Sequence, residues 1–234
     1  MIPARYEASR FPGKLMQMLG DKTVIRRVYE AAKNTNLFDD VIVVTDSDII
    51  EKEIRSVGGS VIRSKKQHES GSDRIAEAAV DLDVDIILNV QGDTPFIKKE
   101  PLEKLLALFS DETVRVASLM QIISDEKVIS DPNRVKVVVD KKNNSLLFSR
   151  SIIPYPRNEN ASVNYYEHIG VYAFRKQALL DFTSWPVTPL EDAEKIECLR
   201  YLENGTPLRM ALTNYIGVSI DTPEDLEKAK TLIK

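Results

Sequence analysis

Three cations and a glycine lie close together near the start of the chain. Arg5, Arg10 and Lys14 surround a lone acid, Glu7, and Gly13 directly precedes Lys14. Guanidinium, ammonium and backbone N–H groups are the donors that bind polyphosphate oxygens. The segment therefore predicts a triphosphate-binding loop, although by composition alone a solvated basic loop is the commoner outcome.

Two aspartates follow apolar runs at distant points of the chain. Asp93 comes shortly after the run 86–90, and Asp221 comes directly after 216–220. The carboxyl ends of parallel strands share one sheet edge, where ligands of open α/β folds bind. Two carboxylates there suit Mg²⁺, which prefers oxygen and keeps waters for phosphates to replace. Aspartate is also common in turns and beside helix N-termini, so a structural role for each stays open.

A polar, glycine-bearing stretch, residues 68–74, leads into a predicted helix. Its hydroxyl and backbone groups suit recognition of a nucleobase, but the same pattern is typical of a capped helix start, with Ser72 as the cap. His168 stands among aromatic and aliphatic residues on a predicted strand, where a packed, hydrogen-bonded histidine is the usual outcome. Taken singly, these signals do not identify a site.

Composition excludes several classes of protein. The 32 Lys and Arg against 36 Asp and Glu give a formal net charge of −4, so there is no global positive field to bind nucleic acid. One cysteine, Cys198, forms no internal disulfide, and 2 histidines are too few for a histidine-rich metal cluster. Apolar runs such as 41–44 are far shorter than the roughly 18 residues of a membrane span. We expect a cytoplasmic protein that binds neither membrane nor nucleic acid.

Apolar spacing predicts alternating helices and strands from about residue 23 to 110, the rhythm of βαβ units in an α/β fold. The predicted helices there lie behind Thr23 and over 48–57 and 73–82. The predicted strands lie over 41–45, 60–63 and 85–90. In the second half, the predicted elements are a hairpin of 135–140 and 145–148 around Asn143-Asn144, a strand near 168–174, and helices at 190–203 and 223–233.

The chain carries no internal repeat, low-complexity tract or linker. We therefore predict one continuous domain over residues 1–234. The first strand is an anomaly, since only Met1 and Ile2 precede Pro3-Ala4-Arg5, where about five or six strand residues are usual. Either this strand is short or the natural start lies upstream.

Seven segments match one known family in sequence and in order. They are IPARYEASRFPGK (2–14), HESGSDRIAE (68–77), NVQGDTPF (89–96), NRVKVVVD (133–140), FSRSIIPYPR (148–157), EHIGVYAFRK (167–176) and DTPEDLE (221–227). On these segments the chain resembles the CMP-3-deoxy-D-manno-octulosonate (CMP-Kdo) synthetases, the 3-deoxy-manno-octulosonate cytidylyltransferase family. The segments span almost the whole chain, so chance does not explain them.

The resemblance implies a nucleotidyltransferase with a Rossmann-like, mixed but mostly parallel sheet and added antiparallel hairpin strands. It implies a homodimer that uses Mg²⁺ and converts CTP and Kdo to CMP-Kdo and pyrophosphate for lipopolysaccharide synthesis. The resemblance further implies that the anomeric hydroxyl of the sugar acid attacks the α-phosphorus directly. Such an attack of one anion on another needs charge neutralisation and in-line placement more than acid–base chemistry. One or two magnesium ions are compatible with this chemistry.

The resemblance also implies roles for individual residues. Those that hold the triphosphate are Arg5, Arg10 and Lys14. Those at the cytidine are Ser70, Gly71, Ser72 and Arg74. Those that contact the sugar acid are Gln91, Arg150, His168, Tyr172 and Glu197. The magnesium ligands are Asp93 and Asp221, which together with Lys14 form the catalytic set.

Two positions depart from the family pattern. Thr94 stands where the family usually has glutamate, beside the expected metal ligand. Cys198 stands where a glutamine often contacts the sugar, and a thiol lacks the paired donor and acceptor of an amide. The alternatives are therefore another 2-keto sugar acid, such as 8-amino-Kdo or a sialic-acid-like acceptor, and a non-catalytic nucleotide-binding protein of the same fold.

Overall fold

The computed structural model describes residues 1–234 except 8–10, 69, 159, 161, 215, 216 and 234. The chain divides into two units, Met1–Leu102 with Ile216–Lys234, and Glu103–Tyr215. Each of these compact units is either a separate domain or part of a larger one. The expectation of one continuous domain over residues 1–234 therefore stays a prediction.

Most of the predicted helices and strands are present, with ends within a few residues. The first elements in chain order are β1 (Ile2–Ala4), β2 (Met18–Leu19), β3 (Lys22–Thr23), α1 (Val24–Asn34), β4 (Ile42–Thr45), α2 (Asp48–Ser56), β5 (Ser60–Arg63), α3 (Gly71–Ala79), β6 (Ile86–Asn89) and α4 (Lys99–Ala107). The elements that follow are β7 (Val116–Ile123), α5 (Glu126–Ser130), β8 (Lys136–Val139), β9 (Ser145–Ser149), β10 (Tyr165–Arg175), α6 (Lys176–Ser184), α7 (Pro189–Glu194), α8 (Cys198–Glu203), β11 (Arg209–Leu212) and α9 (Pro223–Thr231).

Parallel strands form the sheet of the first unit, in the order β5-β4-β1. The end of β6 lies beside β1 on the other side. There the terminal amino group of Met1 donates to the carbonyl of Leu88 at 2.7 Å, and the N–H of Val90 donates to the carbonyl of Met1 at 3.0 Å, a parallel pattern. Val43 and Val44 of β4 are fully buried, as expected for a covered parallel strand. The segments that follow these strands therefore collect at one edge.

The helices of the first unit begin where their capping residues allow. Thr23 caps α1 and accepts from the N–H of Arg26, and apolar residues at helical spacing face the core. Thr222 and Asp225 form a capping box at the start of α9, with Pro223 in the first turn. Across the described part of the chain, every helix is too short or too polar to cross a lipid bilayer.

The strands of the second unit have the order β11-β7-β10-β8-β9. β11 pairs with β7 in parallel, and the other neighbours pair antiparallel, including the predicted hairpin β8–β9. The register of β10 against β7 shifts between Ile169 and Tyr172. The α/β fold with parallel strands and added antiparallel hairpin strands is confirmed.

Two local predictions are wrong. Ser70, not Ser72, caps α3, because the helix begins at Gly71 and places Ser72 inside its first turn, where it is buried. The single helix expected over 190–203 is two helices, α7 and α8. They are separated at Lys195, whose backbone is left-handed with φ 53° and therefore ends α7.

Candidate functional site

Lys14 lies between the two aspartates that the sequence analysis singled out. Its Nζ donates to Oδ2 of Asp93 at 2.6 Å and to Oδ1 of Asp221 at 2.9 Å. The side chain of Lys14 is 15% exposed, that of Asp93 21% and that of Asp221 43%. Two carboxylates from distant parts of the sequence thus converge on one cation and stay accessible to a ligand from solvent.

The backbone brings the two aspartates together. Asp93 follows β6, and its carbonyl accepts a hydrogen bond from the N–H of Ile220 at 3.0 Å. Asp221 is the next residue, and its own N–H donates to Oδ2 of Asp225 in the cap of α9 at 3.2 Å. The capped start of α9 therefore fixes Asp221 beside the end of β6.

Local hydrogen bonds also fix Lys14. Gly13 has a φ of 68°, a conformation that favours glycine, and its N–H donates to the carbonyl of Tyr6 at 3.0 Å. The N–H of Lys14 donates to the carbonyl of Phe11 at 3.1 Å. This turn presents the ammonium group of Lys14 to the two carboxylates.

The charge of Lys14 is secure at neutral pH. Burial by itself lowers the pKa of Lys14, but the charges and hydrogen bonds of Asp93 and Asp221 outweigh it, so this pKa lies above its ordinary value. The site therefore carries a permanent positive charge between two negative ones.

A hollow in the first unit is lined by seven residues named from the sequence. In chain order these are Arg5, Lys14, Ser70, Gly71, Arg74, Gln91 and Asp93. Two glycines allow its walls to approach β1: a Cβ on Gly92 would lie 2.9 Å from the carbonyl oxygen of Pro3, and one on Gly71 would lie 3.0 Å from the Pro3 ring. We call this feature the charged hollow.

The residues expected at the cytidine differ in their surroundings. Ser70 caps α3, and its Oγ accepts from the N–H of Asp73 at 3.1 Å. Arg74 is almost fully buried, and its NH1 contacts Oγ of Ser64 at 3.0 Å and Oδ1 of Asp46 at 3.1 Å. Ser72 is buried within the helix. Arg10, expected at the triphosphate, lies outside the described residues.

The sequence analysis missed Asp46 and Ser64, which hold Arg74. A signal was present, because Asp46 follows the buried strand β4 just as Asp93 follows β6. A second missed pair is His68 and Glu77, whose Nε2 and Oε2 lie 2.9 Å apart. Burial raises the pKa of Glu77, but bonds from His68 and from the N–H of Lys65 lower it more, so the net pKa is below its ordinary value.

In the second unit, two of the residues expected at the sugar acid form one polar cluster. The hydroxyl of Ser118 donates to the carbonyl of Val171 at 2.9 Å, and Nε2 of His168 lies 2.9 Å from Oγ of Ser118. The thiol of Cys198 donates to the hydroxyl of Tyr172 at 3.3 Å. Desolvation lowers the pKa of His168 to about 4 and raises that of Cys198 to about 12. Both side chains are therefore neutral at pH 7.

The other residues expected at the sugar acid lie elsewhere. The side chain of Arg150 is held by backbone carbonyls: Nε donates to Glu194 at 2.6 Å and NH1 to Pro132 at 2.9 Å. Glu197 directly precedes α8 in the second unit. Gln91 belongs to the first unit and lines the charged hollow.

A fully buried lysine, Lys136, is a further residue that the sequence analysis did not select. Its Nζ donates to three backbone carbonyls, those of Asp131 at 2.9 Å, Arg134 at 2.7 Å and Arg150 at 2.6 Å. All three donors of the ammonium group are thus used. The signal was a lysine inside the apolar strand VKVVVD.

The donor atoms of the site fit magnesium better than a softer metal. Among the described residues, no group of three or more His, Cys, Asp or Glu side chains is arranged to hold a metal ion. Asp93 and Asp221 supply carboxylate oxygens around a single positive charge. Mg²⁺ commonly binds one or two carboxylates and completes its shell with waters and substrate phosphates. The two aspartates therefore fit a magnesium ion that a phosphate ligand also contacts.

The chain matches a family model described as cytidylyltransferase over residues 1–213. It is 59% identical to the 3-deoxy-manno-octulosonate cytidylyltransferase of Flavobacterium johnsoniae, over 100% of this chain and 97% of that protein. It is 58% identical to the protein of the same name from Christiangramia forsetii, over 100% of this chain and 95% of that one.

Solved structures agree with these matches. A CMP:2-keto-3-deoxy-manno-octonic acid synthetase complexed with CTP superposes with a TM-score of 0.94 and 38% identity, covering 99% of this chain and 96% of that one. An inositol-1-phosphate CTP transferase from T. maritima superposes with a TM-score of 0.67 at 16% identity, over 99% of this chain and 93% of that one, which shows the shared fold alone.

Proposed function

The chain belongs to the cytidylyltransferase family, and from that premise we propose that it is a 3-deoxy-manno-octulosonate cytidylyltransferase. It transfers CMP from CTP to the anomeric hydroxyl of Kdo and releases pyrophosphate. The observation that carries the proposal is the meeting of Lys14, Asp93 and Asp221 beside the charged hollow, in a chain that matches relatives of that name over its full length.

The chemistry joins two anions, so the protein's main task is electrostatic. Arg5 and Lys14 supply positive charge in the charged hollow for the triphosphate. Ser70, Gly71 and the start of α3 provide polar groups on another wall for the nucleoside. Holding the hydroxyl in line with the α-phosphorus converts an unfavourable encounter into an intramolecular step. No covalent intermediate on the protein is required.

We propose Mg²⁺ as the cofactor, held by Asp93 and Asp221. When bound, it supplies positive charge for the phosphate oxygens and lowers the pKa of a hydroxyl that contacts it. The partly exposed carboxylates support this assignment. Lys14 stays positively charged beside the two carboxylates, so its ammonium group can also bind a phosphate oxygen.

The sugar acid is proposed to contact Gln91, Arg150, His168, Tyr172 and Glu197. His168 is neutral at pH 7, so it contributes hydrogen bonds rather than charge. The buried thiol of Cys198 donates to the hydroxyl of Tyr172 and lacks the paired donor and acceptor of an amide, so an alternative acceptor class stays open. That alternative is another 2-keto sugar acid, such as 8-amino-Kdo.

Three broader properties also follow from the family membership as proposals. We propose a cytoplasmic homodimer that acts in lipopolysaccharide synthesis and binds neither membrane nor nucleic acid. The net charge of −4 supports the last point, since it gives no general attraction to a polyanion. Sedimentation at micromolar protein concentration tests the dimer, and a monomer would contradict it.

A direct assay tests the activity. The purified protein is incubated with CTP, Mg²⁺ and Kdo, and pyrophosphate release is followed alongside parallel reactions with 8-amino-Kdo and sialic acid. We expect release with Kdo. Release only with another acid would identify that acceptor instead. CTP binding in a calorimeter without release from any acid would identify a non-catalytic nucleotide-binding protein.

A further inference from the structure

The bonds of Lys14 have a consequence for metal binding. Its ammonium group contacts both carboxylates that are proposed to hold Mg²⁺, at 2.6 Å and 2.9 Å. A cation that binds to Asp93 and Asp221 must therefore compete with a cation that the chain already provides. Such charge-assisted hydrogen bonds are among the stronger ones in proteins.

The charged hollow offers Lys14 a second set of partners. Lys14 lines this hollow together with Arg5, and its side chain is partly exposed. A triphosphate in the hollow would present several anionic oxygens to the same ammonium group. A lysine ammonium on a flexible stem can exchange one set of oxygen partners for another without loss of charge.

We propose that Lys14 is an exchangeable counter-ion: it occupies Asp93 and Asp221 in the nucleotide-free protein and releases them when a nucleoside triphosphate binds. A divalent cation then binds weakly to the free protein and tightly to the protein with nucleotide. This inference rests on the proposed function, since it takes Asp93 and Asp221 as the metal ligands. By thermodynamic linkage, the cation strengthens nucleotide binding by the same factor.

The consequence for the protein is ordered assembly of its site. Without nucleotide, the ion pairs of Lys14 offset part of the negative charge of the two carboxylates and discourage a bare cation from binding them. With nucleotide, metal and triphosphate arrive as one unit, because each removes a competitor of the other. Part of the coupling between cation binding and nucleotide binding would come from phosphate oxygens that bind the metal directly. We assign the remainder to Lys14.

Mn²⁺ binding, followed by electron paramagnetic resonance of the free ion, separates these two parts. We measure the dissociation constant of Mn²⁺ with and without CTP, and with no sugar acid present, in the wild type and in Lys14→Gln. In Lys14→Gln, binding of Mn²⁺ alone should be tighter by about tenfold, within the usual range of coupling between sites. The ratio of the dissociation constant of Mn²⁺ without CTP to that with CTP should fall by a similar factor in this variant.

Two matched variants decide whether the bonds or merely the charge of Lys14 matters. Arg5→Gln removes the same charge from the same hollow, and the bonds described for the side chains of Asp93 and Asp221 are to Lys14 and Ser219 rather than to Arg5, so Mn²⁺ alone should bind about as in the wild type. Lys14→Arg keeps a cation and should keep weak binding of Mn²⁺ alone. Asp93→Asn and Asp221→Asn should weaken Mn²⁺ binding with CTP present. Circular dichroism and thermal unfolding establish that each variant is folded.

The inference is overturned if Lys14→Gln binds Mn²⁺ alone no more tightly than the wild type, or if Arg5→Gln tightens it equally. Failure of the proposed function is distinguishable from this. A protein that releases no pyrophosphate with any acid still reports whether Lys14 competes with Mn²⁺, because the arm without nucleotide needs no turnover.

Discussion

Two lysines with low exposure serve opposite purposes in the two units. Lys14 donates to two carboxylate side chains at the edge of the charged hollow. Lys136 donates to three backbone carbonyls and is fully buried in the hairpin region of β8 and β9. Carboxylates can be handed to a metal or a ligand, whereas backbone carbonyls cannot leave without unfolding. The identity of the acceptors therefore separates the ammonium group that we propose to be functional, that of Lys14, from the structural one of Lys136.

The pKa values of the two lysines follow the same division. Burial alone lowers both, but Asp93 and Asp221 more than compensate for Lys14, whose pKa is raised. For Lys136 burial dominates over the attraction of Asp131 and Glu167, and its pKa is lowered. Lys136 thus stabilises its surroundings by satisfying carbonyl dipoles, while Lys14 keeps its charge between two acidic side chains.

The largest expected effect concerns the carboxylates of Asp93 and Asp221, the proposed metal ligands. Asp93→Asn and Asp221→Asn should each lower the turnover number by about 10³-fold, typical of losing a group that positions charge in a transition state. Stability should hardly change, because asparagine keeps an acceptor for Lys14. Pyrophosphate release and thermal unfolding measure the two effects. The matched control is Asp21→Asn, which removes an exposed partner of Arg27 and should leave turnover unchanged. A variant at Asp93 or Asp221 that keeps wild-type turnover would return that residue to a structural role.

The structural lysine should show the reverse behaviour. Lys136→Met removes the ammonium donor from three partly buried carbonyls, of which only that of Asp131 also accepts from a backbone N–H among the described residues, that of Arg134 at 3.1 Å. The free energy of unfolding should fall by about 3 kcal/mol. Denaturant unfolding measures this loss as a lower midpoint. Lys195→Met is the control, since its side chain is 75% exposed and its ion pair within the described part of the chain is with the exposed Asp192, three residues earlier. Equal stability of the Lys136 variant and the wild type would mean that the carbonyls find other donors.

Acid should lower the stability of the protein through His168, which is neutral in the folded state at pH 7. The pKa of this histidine is about 4 in the folded protein against 6.5 for an ordinary histidine, so the unfolded chain binds more protons between these values. The free energy of unfolding should therefore fall as pH drops from 6.5 towards 4, by about 2 kcal/mol after allowance for partial exposure. Comparison of wild type with His168→Gln in urea at pH 7 and pH 4.5 isolates this contribution. If the free energy of unfolding falls equally in the wild type and in His168→Gln, the loss at low pH belongs to other titratable groups.

The smallest effect is expected for the contribution of Lys14 to the free energy of unfolding. Lys14→Met removes two ion pairs whose carboxylates are partly solvated, and the free energy of unfolding should fall by only about 1 kcal/mol. The denaturation midpoint of this variant, measured beside that of Lys136→Met, tests the comparison directly. A larger loss for Lys14 than for Lys136 would reverse the roles assigned to the two ammonium groups.

Most helices and strands were predictable from local patterns. Helix α1 follows from Thr23 and apolar residues at helical spacing, and β5 from a short run before its turn. The errors arose where two local signals competed. Ser70 and Ser72 are both good caps, and the structure selects Ser70 because the helix begins at Gly71 against β1. The residue types in 190–203 do not predict the left-handed backbone of Lys195, which separates α7 from α8.

The candidate site was only partly predictable. Seven named residues line the charged hollow, because a residue that follows a parallel strand is carried to one sheet edge. The partners of those residues were not predictable. Arg74 was expected to meet a ligand, yet Asp46 and Ser64 hold it, and these contacts depend on how β4, β5 and α3 pack.

The sequence by itself determined the family, the α/β pattern and the residue types at the site. Each of these depends on local composition, apolar spacing or motifs in a fixed order along the chain. Tertiary structure alone decided which charges meet. Lys14 reaches both Asp93 and Asp221 only because the backbone of Ile220 bonds to that of Asp93, a contact between segments that no local pattern relates. Charge pairing depends on distances of a few ångströms, and such distances are set by packing rather than by order along the chain.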